Sequence, residues 1–168
     1  MRLSSTVGTG ARFSIDLPLT LAITDALITA VGNQTFAVPQ NAVREVIDVQ
    51  AATIRQLEGA EVVPFRGHAL PLIRLSAQFG AAREDRQRHH ALIIGSDTAA
   101  VGLLVDRVVS QREIVVRMTA DPLIRVDGIA GATDLGDGRA VLILDVVAIA
   151  RAARARAGAA HRRDVGIA

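Results

Sequence analysis

The stretch ALITAVGNQTFAV, residues 26–38, decides the architecture. Two strand-like runs, Ala26 to Val31 and Thr35 to Val38, are separated by Gly32-Asn33-Gln34. A Gly-Asn pair supplies the positive-φ residues that a tight β-hairpin needs. Pro39 closes the second run, because proline brings no N–H to a ladder.

The same device recurs downstream. Glu61 to Phe65 and Leu70 to Leu75 read as a second hairpin around Arg66-Gly67-His68, and Ala91 to Ile94 with Val101 to Val105 as a third across Gly95-Ser96-Asp97. Glu113 to Met118 is a further strand. Gly128 to Ala132 and Ala140 to Leu144 flank a turn, Asp134-Leu135-Gly136-Asp137-Gly138, whose Asp and Gly residues suit turn geometry. Asn41 to Asp48 fits either a helical turn or a strand. Upstream, residues 11–17 alternate Phe13, Ile15 and Leu17 with Arg12, Ser14 and Asp16, the period of a half-buried strand, and Pro18 ends it.

Helical signals are few. Ser76 to Phe79 reads as one turn stopped by Gly80. Asp145 is placed to cap a helix from Val146 to about Ala157, with Gly158 as its stop and the last ten residues expected to fray. Residues 81–90, the most polar stretch, read as an exposed loop. Many short strands, regular turns and no βαβ alternation predict an all-β barrel or sandwich.

Composition sets the limits. The chain has 168 residues, enough for one ordinary domain, and half of it is hydrophobic, so a sizeable core is available. Phe13, Phe36, Phe65 and Phe79 are its only aromatics, so Val, Ile, Leu and Ala must fill that core. Every one of the nineteen basic residues is Arg, against seventeen acids. A net charge of +2 is no nucleic-acid footprint, and the scarcity of aromatics removes the stacking platforms that nucleic-acid-binding barrels use. There is no Cys, which fits a reducing cytosol. Met1 to Ala11 lacks the pattern of a signal peptide, and apolar runs such as Leu70 to Ile73 and Val141 to Leu144 fall far short of the roughly 20 residues that span a bilayer.

No catalytic site is expected. His68, His89, His90 and His161 form no zinc-binding spacing, and His89-His90 read as solvated loop histidines. There is no Walker lysine and no G-x-S-x-G elbow, and Asp134 to Gly138 lacks the acid spacing of a calcium loop. Gly8-Thr9-Gly10 has the look of a phosphate cradle, although glycines before a strand are more often a turn. No cofactor and no metal are expected.

The surrounding motifs carry a resemblance. VGTGARFSIDLPLTLAI, residues 7–23, resembles the junction in chemotaxis histidine kinases of the CheA type, where a G-x-G-T-x-F motif enters the last strand of the ATP-binding domain and L-P-L-T-L-A-I passes into the regulatory domain. Ala11 stands where that family usually has Thr. The rest of the chain resembles a CheW-like domain: Phe36 to Pro39 with Val43 to Val46, then Arg66-Gly67 with Leu70 to Leu75 and Phe79-Gly80. The resemblance continues through Gly102 to Asp106 with Gln111 to Val116, then Asp127 to Ala132 with Leu135 to Arg139 and Leu142 to Asp145. Ser110 and Met118 sit where Gly and Pro are commoner.

The resemblance implies a CheW-like fold of two SH3-like five-stranded β-barrels with a shared core and a C-terminal helix. It implies three segments: 1–18, the remnant of the kinase ATP-binding domain; 19–158, the CheW-like regulatory domain; and 159–168, a flexible tail. It implies a cytoplasmic regulatory scaffold at membrane-associated receptor arrays. The expected partners are the coupling protein CheW, the chemoreceptor cytoplasmic tip and the remainder of the kinase, with no nucleic acid and no direct membrane insertion. This chain alone is expected to be no enzyme, with Gly8 and Gly10 a weak remnant of the nucleotide-side motif. The alternatives are a fragment that carries a histidine-kinase label, and a stand-alone CheW adaptor.

The candidate partner-binding residues are Glu45, Val46, Arg66, Gly67, Ile129, Ala130 and Gly131. Glu45 and Arg66 are expected to face each other across adjacent barrel segments, against the alternative of two unrelated solvated charges. Ile129 to Ala132 is either an apolar docking turn or a buried strand. Arg151, Arg154 and Arg156 read as the solvated face of the terminal helix, which lacks the large apolar residues of a membrane-surface helix.

Overall fold

The computed structural model describes residues 2–6, 8, 10–14, 22–57, 59–82, 85–96, 99–116, 126–136 and 138–164. An N-terminal hairpin pairs β1 (Arg2–Thr6) with β2 (Gly10–Ser14). The decisive hairpin is β3 (Ala22–Val31) and β4 (Gln34–Pro39), with Gly32-Asn33 as its two-residue turn; of the pair only Gly32 takes the expected positive φ (56), and Asn33 does not. A 3-10 turn at Gln40–Ala42 leads into β5 (Val43–Gln50), so the ambiguous stretch uses both conformations in succession. A second 3-10 turn, Ala51–Thr53, precedes β6 (Arg55–Leu57), β7 (Ala60–Phe65) and β8 (His68–Arg74). Then come α1 (Leu75–Phe79), β9 (Arg88–Ile94), β10 (Val101–Val105), β11 (Arg107–Val116), β12 (Ile129–Asp134), β13 (Ala140–Leu144) and α2 (Val146–Asp164).

Two larger sheets result. One has the order β5-β9-β10-β8-β7-β6 and the other β11-β3-β4-β13-β12. The chain begins the second sheet, builds all of the first, and returns to finish the second. Neighbours are antiparallel except β8 with β10 and β4 with β13. In the five-stranded sheet the two edge strands, β11 and β12, approach each other, which curls the sheet towards closure. The other sheet carries one strand more than the expected five, the three-residue β6.

Strand alternation divides the apolar residues among three cores. Leu92 and Ile94 of β9, with Leu103 and Val105 of β10, turn one way to meet Leu27, Phe36 and Val38 of the other sheet. Ala91, Ile93 and Leu104 turn the other way, into the first sheet's own interior beside Val49, Val63 and Leu72. Ala26, Ile28, Ala37, Ile114, Val141 and Ile143 fill the second interior. β10 is therefore buried on both faces along its length. Burying each large aliphatic side chain contributes about 1.5–3 kcal/mol, so the shared core welds the sheets together.

Asp145 caps α2 as expected: its Oδ1 accepts the Ala148 N–H at 2.9 Å. Val146, Ile149 and Ala150 seat the helix on the shared core. Phe79 of α1 packs on Phe36, ring centroids 5.0 Å apart. Gly80 (φ 63) caps α1 in the left-handed conformation. No helix among the described residues is long and apolar enough to cross a membrane.

Several expectations need correction. Residues 81–90 are not all loop: β9 begins at Arg88, and His89 is 4% exposed, not solvated. It pairs with Val49 of β5 and lies 3.5 Å from the Asp106 carboxylate, so a polar partner offsets its burial. β11 starts at Arg107, well before Glu113, because pairing with the long β3 carries it through a bulge at Val108–Ser110. Arg2–Thr6, not read as a strand, pairs with β2. At Phe13 the half-buried reading fails: the side chain is 62% exposed on a two-stranded ribbon. Ile15 to Leu17 and Met118 lie outside the described residues. α2 runs past Gly158 to Asp164, so 159–164 is helical; one glycine costs only about 1 kcal/mol amid Ala and Arg, both good helix formers. Residues 165–168 lie outside the described residues.

A candidate docking cleft at the rim of the first sheet

β5 is an edge strand of the six-stranded sheet, and its period decides what enters the sheet's interior. Glu45, Ile47 and Val49 share the inner face; Arg44, Val46 and Asp48 face outward. Val49 and Ile47 pack into the interior core. Glu45 is the charged end of that column, placed at its rim.

Arg66 comes to it from the far side of the sheet. Phe65 pairs with His68, leaving Arg66-Gly67 as a two-residue loop with φ 48 and 82. Two positive-φ central residues mark the type I′ turn, whose twist matches that of the flanking strands. From this turn the Arg66 guanidinium reaches both Glu45 carboxylate oxygens at 3.0 Å. It also stands over the Phe65 ring, 5.0 Å from the centroid. The expected pairing of Glu45 with Arg66 is therefore present, but not across adjacent segments, since β9 and β10 lie between β5 and β8 in the sheet.

Below the pair lies a cleft of about 590 Å³. Leu70 and Ile93 are its most buried lining residues, and Phe65, Pro71 and Ala100 extend the apolar wall. Arg44 and His68 also border it. The apolar lining escapes a reading of the sequence, because those residues sit on four segments that only the sheet order brings together. A smaller polar cleft of about 180 Å³ lies elsewhere on the same sheet, beside a forked ion pair from Arg74 to Glu61 at 3.0 and 2.9 Å.

The other candidates are scattered. Val46 follows Glu45 but points to the opposite face and is 40% exposed; the period of two separates such neighbours. Gly67 supplies turn geometry without lining the cleft. Ile129, Ala130 and Gly131 lie on β12, an edge of the other sheet, so they form no single surface with Glu45 and Arg66. Gly131 is buried, Ile129 packs on the shared core, and Ala130 alone is exposed, at a bulge in the pairing with β13. This stretch is a strand, not an apolar turn.

Gly8 (φ 82) and Gly10 (φ 106) shape the connection between β1 and β2, with open space where a side chain would be. The Asp134 carboxylate accepts the Gly136 N–H at 2.7 Å, the local bond of a turn. Among the described residues, no three of His, Cys, Asp and Glu are grouped to hold a metal ion. Arg151 and Arg154 are exposed on α2, as the solvated-face reading expects, and the Arg156 side chain lies outside the described residues.

Comparison with known proteins gives a consistent result. Residues 25–154 match the model of the CheW-like domain. "Chemotaxis protein CheA" of Bacillus subtilis (strain 168) is 35% identical over 149 residues, covering 88% of this chain and 22% of that protein. The protein of the same name from Treponema pallidum (strain Nichols) is 37% identical over 145 residues, 84% of this chain and 18% of its own length. That from Rhizobium meliloti (strain 1021) is 35% identical over 158 residues, 92% of this chain and 21% of its own length. The chain thus spans about a fifth of the curated relatives it matches. Among solved structures, the scaffolding protein TtCheW from Thermoanaerobacter tengcongensis superposes with a TM-score of 0.58 at 19% identity, over 73% of this chain and 88% of that one, which speaks for the fold.

Proposed function

The chain belongs to the CheW-like domain family, and from that premise we propose that it is a non-catalytic docking module of a chemotaxis histidine kinase. In this reading it binds the coupling protein CheW and the cytoplasmic tip of chemoreceptors, and so couples receptor state to the kinase. Its place is the cytoplasm, at membrane-associated receptor arrays. Residues 1–18 are the end of the parent's ATP-binding domain, 19–158 are the docking module, and the phosphotransfer chemistry belongs to the upstream part of the parent.

The observation that carries the proposal is the rim cleft: an apolar recess beside an exposed ion pair, at the open end of the first sheet's interior. Recesses of this kind, apolar within and charged at the edge, suit protein contacts. The relatives named for chemotaxis supply the pathway, and the similarity reaching 92% of the chain supports attachment to a kinase over a stand-alone adaptor.

The test is a titration of the whole chain with the CheW adaptor of the same bacterium. Saturable one-to-one binding, together with no ATP affinity, is the expected result. Failure to bind the adaptor, or ATP binding by this chain alone, rejects the proposal.

A further inference from the structure

We infer that the cleft receives one large aliphatic side chain of the partner protein, and that a carboxylate beside that side chain takes Arg66 away from Glu45. This rests on the docking role proposed above and names the chemistry of what docks.

The first argument is the turn. Type I′ loops favour Asn, Asp or Gly at the first central position, where φ is positive. Arg66 occupies that position and is the one non-glycine residue with positive φ among the described residues. Backbone geometry alone selects Asn-Gly here, so the guanidinium is what the position retains against the backbone's preference.

The second argument is exchange. The Arg66 side chain is 64% exposed, and its internal partner Glu45 is 31% exposed. An ion pair in contact with water is held weakly, and an incoming carboxylate replaces the internal one at little loss. A bare carboxylate would gain as little. The adjoining apolar recess, with Leu70 and Ile93 buried in its lining, supplies the attraction that brings the carboxylate into place.

The third argument is charge. Arg66 and Glu45 both line the cleft, and the Arg66 side chain is about twice as exposed as the Glu45 carboxylate it holds, so the cation is the group an arriving side chain meets. This favours an acidic neighbour for the apolar anchor over a basic one.

The experiment is isothermal titration of the full chain with the purified CheW adaptor at low and high salt, with each variant's folding checked by thermal melting. Arg66→Asn melts no lower than the wild type, yet binds about tenfold more weakly with a flatter salt dependence. Arg66→Gly, equally compatible with the turn, gives the same loss and stands in if the first variant misfolds. Glu45→Ala binds about two- to fivefold more tightly, because Arg66 then has no internal partner to leave. Ala69→Trp, at an exposed lining position of β8, fills the recess and binds at least about tenfold more weakly.

Wild-type binding that Arg66→Asn and Ala69→Trp leave unchanged removes the cleft from the interface while the docking role stands. Weakening by Glu45→Ala makes the intact pair the recognised unit and overturns the exchange. A concentration-dependent dimer abolished by Ala69→Trp gives the cleft to a second copy of the chain and overturns the inference as well. Absence of adaptor binding to the wild type ends both readings.

Discussion

Asp106, at the end of β10, accepts the backbone N–H of Gly32 through Oδ2 at 2.5 Å, so one carboxylate of the six-stranded region pins the turn of the decisive hairpin in the other sheet. The backbone reinforces it: the Asp106 N–H donates to Ala30 O at 3.1 Å. The same carboxylate stands 3.5 Å from buried His89 through Oδ1.

Asp106→Ala removes the acceptor from a mostly buried site and leaves the Gly32 N–H to find another. Loss of a hydrogen bond to a charged group costs about 1.5–3 kcal/mol. Urea unfolding is expected to show that loss, with Asp106→Asn intermediate, because an amide oxygen still accepts from Gly32. Equal stability of all three proteins contradicts the pinning role.

Two turn glycines separate strain from crowding. Gly32 (φ 56) and Gly67 (φ 82) both use left-handed backbone, but a Cβ on Gly32 meets Ala82 O at 2.5 Å, whereas one on Gly67 meets nothing within 4 Å. Alanine at either position incurs the left-handed penalty of roughly 1–2 kcal/mol. Gly32→Ala adds a backbone clash, so its midpoint in denaturant falls below that of Gly67→Ala. The reverse order shows that the approach of Ala82 is easily relieved.

How much of the fold and the site is legible in the sequence depends on whether the information is local. Gly32-Asn33 and Gly67 announce their hairpins because turn chemistry is written in adjacent residues, whereas Arg66 is no turn signal. The Glu45–Arg66 pairing is also within reach, as opposite charges on two elements similar to one family's motifs. Val46 is not separable from Glu45 until β5 is known to be a strand with Ile47 and Val49 inside. Nothing local puts β9 between β5 and β10, or makes β8 parallel to β10. That order follows from which faces bury together, and with it come the burial of His89 and the apolar wall of Phe65, Pro71 and Ile93. The end of α2 misleads when Gly158 is weighed alone and not against its Ala and Arg neighbours.

The shared core predicts cooperative unfolding. Leu103 is fully buried where both sheets and α2 meet. Leu103→Ala leaves a cavity at that junction and costs about 2–5 kcal/mol. Since the junction belongs to both sheets, spectroscopic probes placed in each are expected to report one coincident transition at a lower denaturant concentration. Two separated transitions show that the sheets hold together independently of this core.

Glu45 tests whether the rim is selected for stability. It continues the inner-face column of Ile47 and Val49, where a valine fits the pattern, yet it is a carboxylate at 31% side-chain exposure. Its salt bridge to the mostly exposed Arg66 is worth about 0–1 kcal/mol. Extending the apolar column gains a similar amount, as partial burial of a few methyl groups at about 25 cal/mol per Å² implies. Glu45→Val is therefore expected to change unfolding free energy by no more than about 0.5 kcal/mol in either direction, with loss of the salt sensitivity that the ion pair confers. A charge that adds nothing to the fold but stays at the rim is what a binding site requires, since residues kept for recognition are commonly neutral or costly for stability. A loss of more than about 2 kcal/mol on Glu45→Val would instead make the pair a strut of the sheet. The cleft would then lose its claim to a replaceable ion pair.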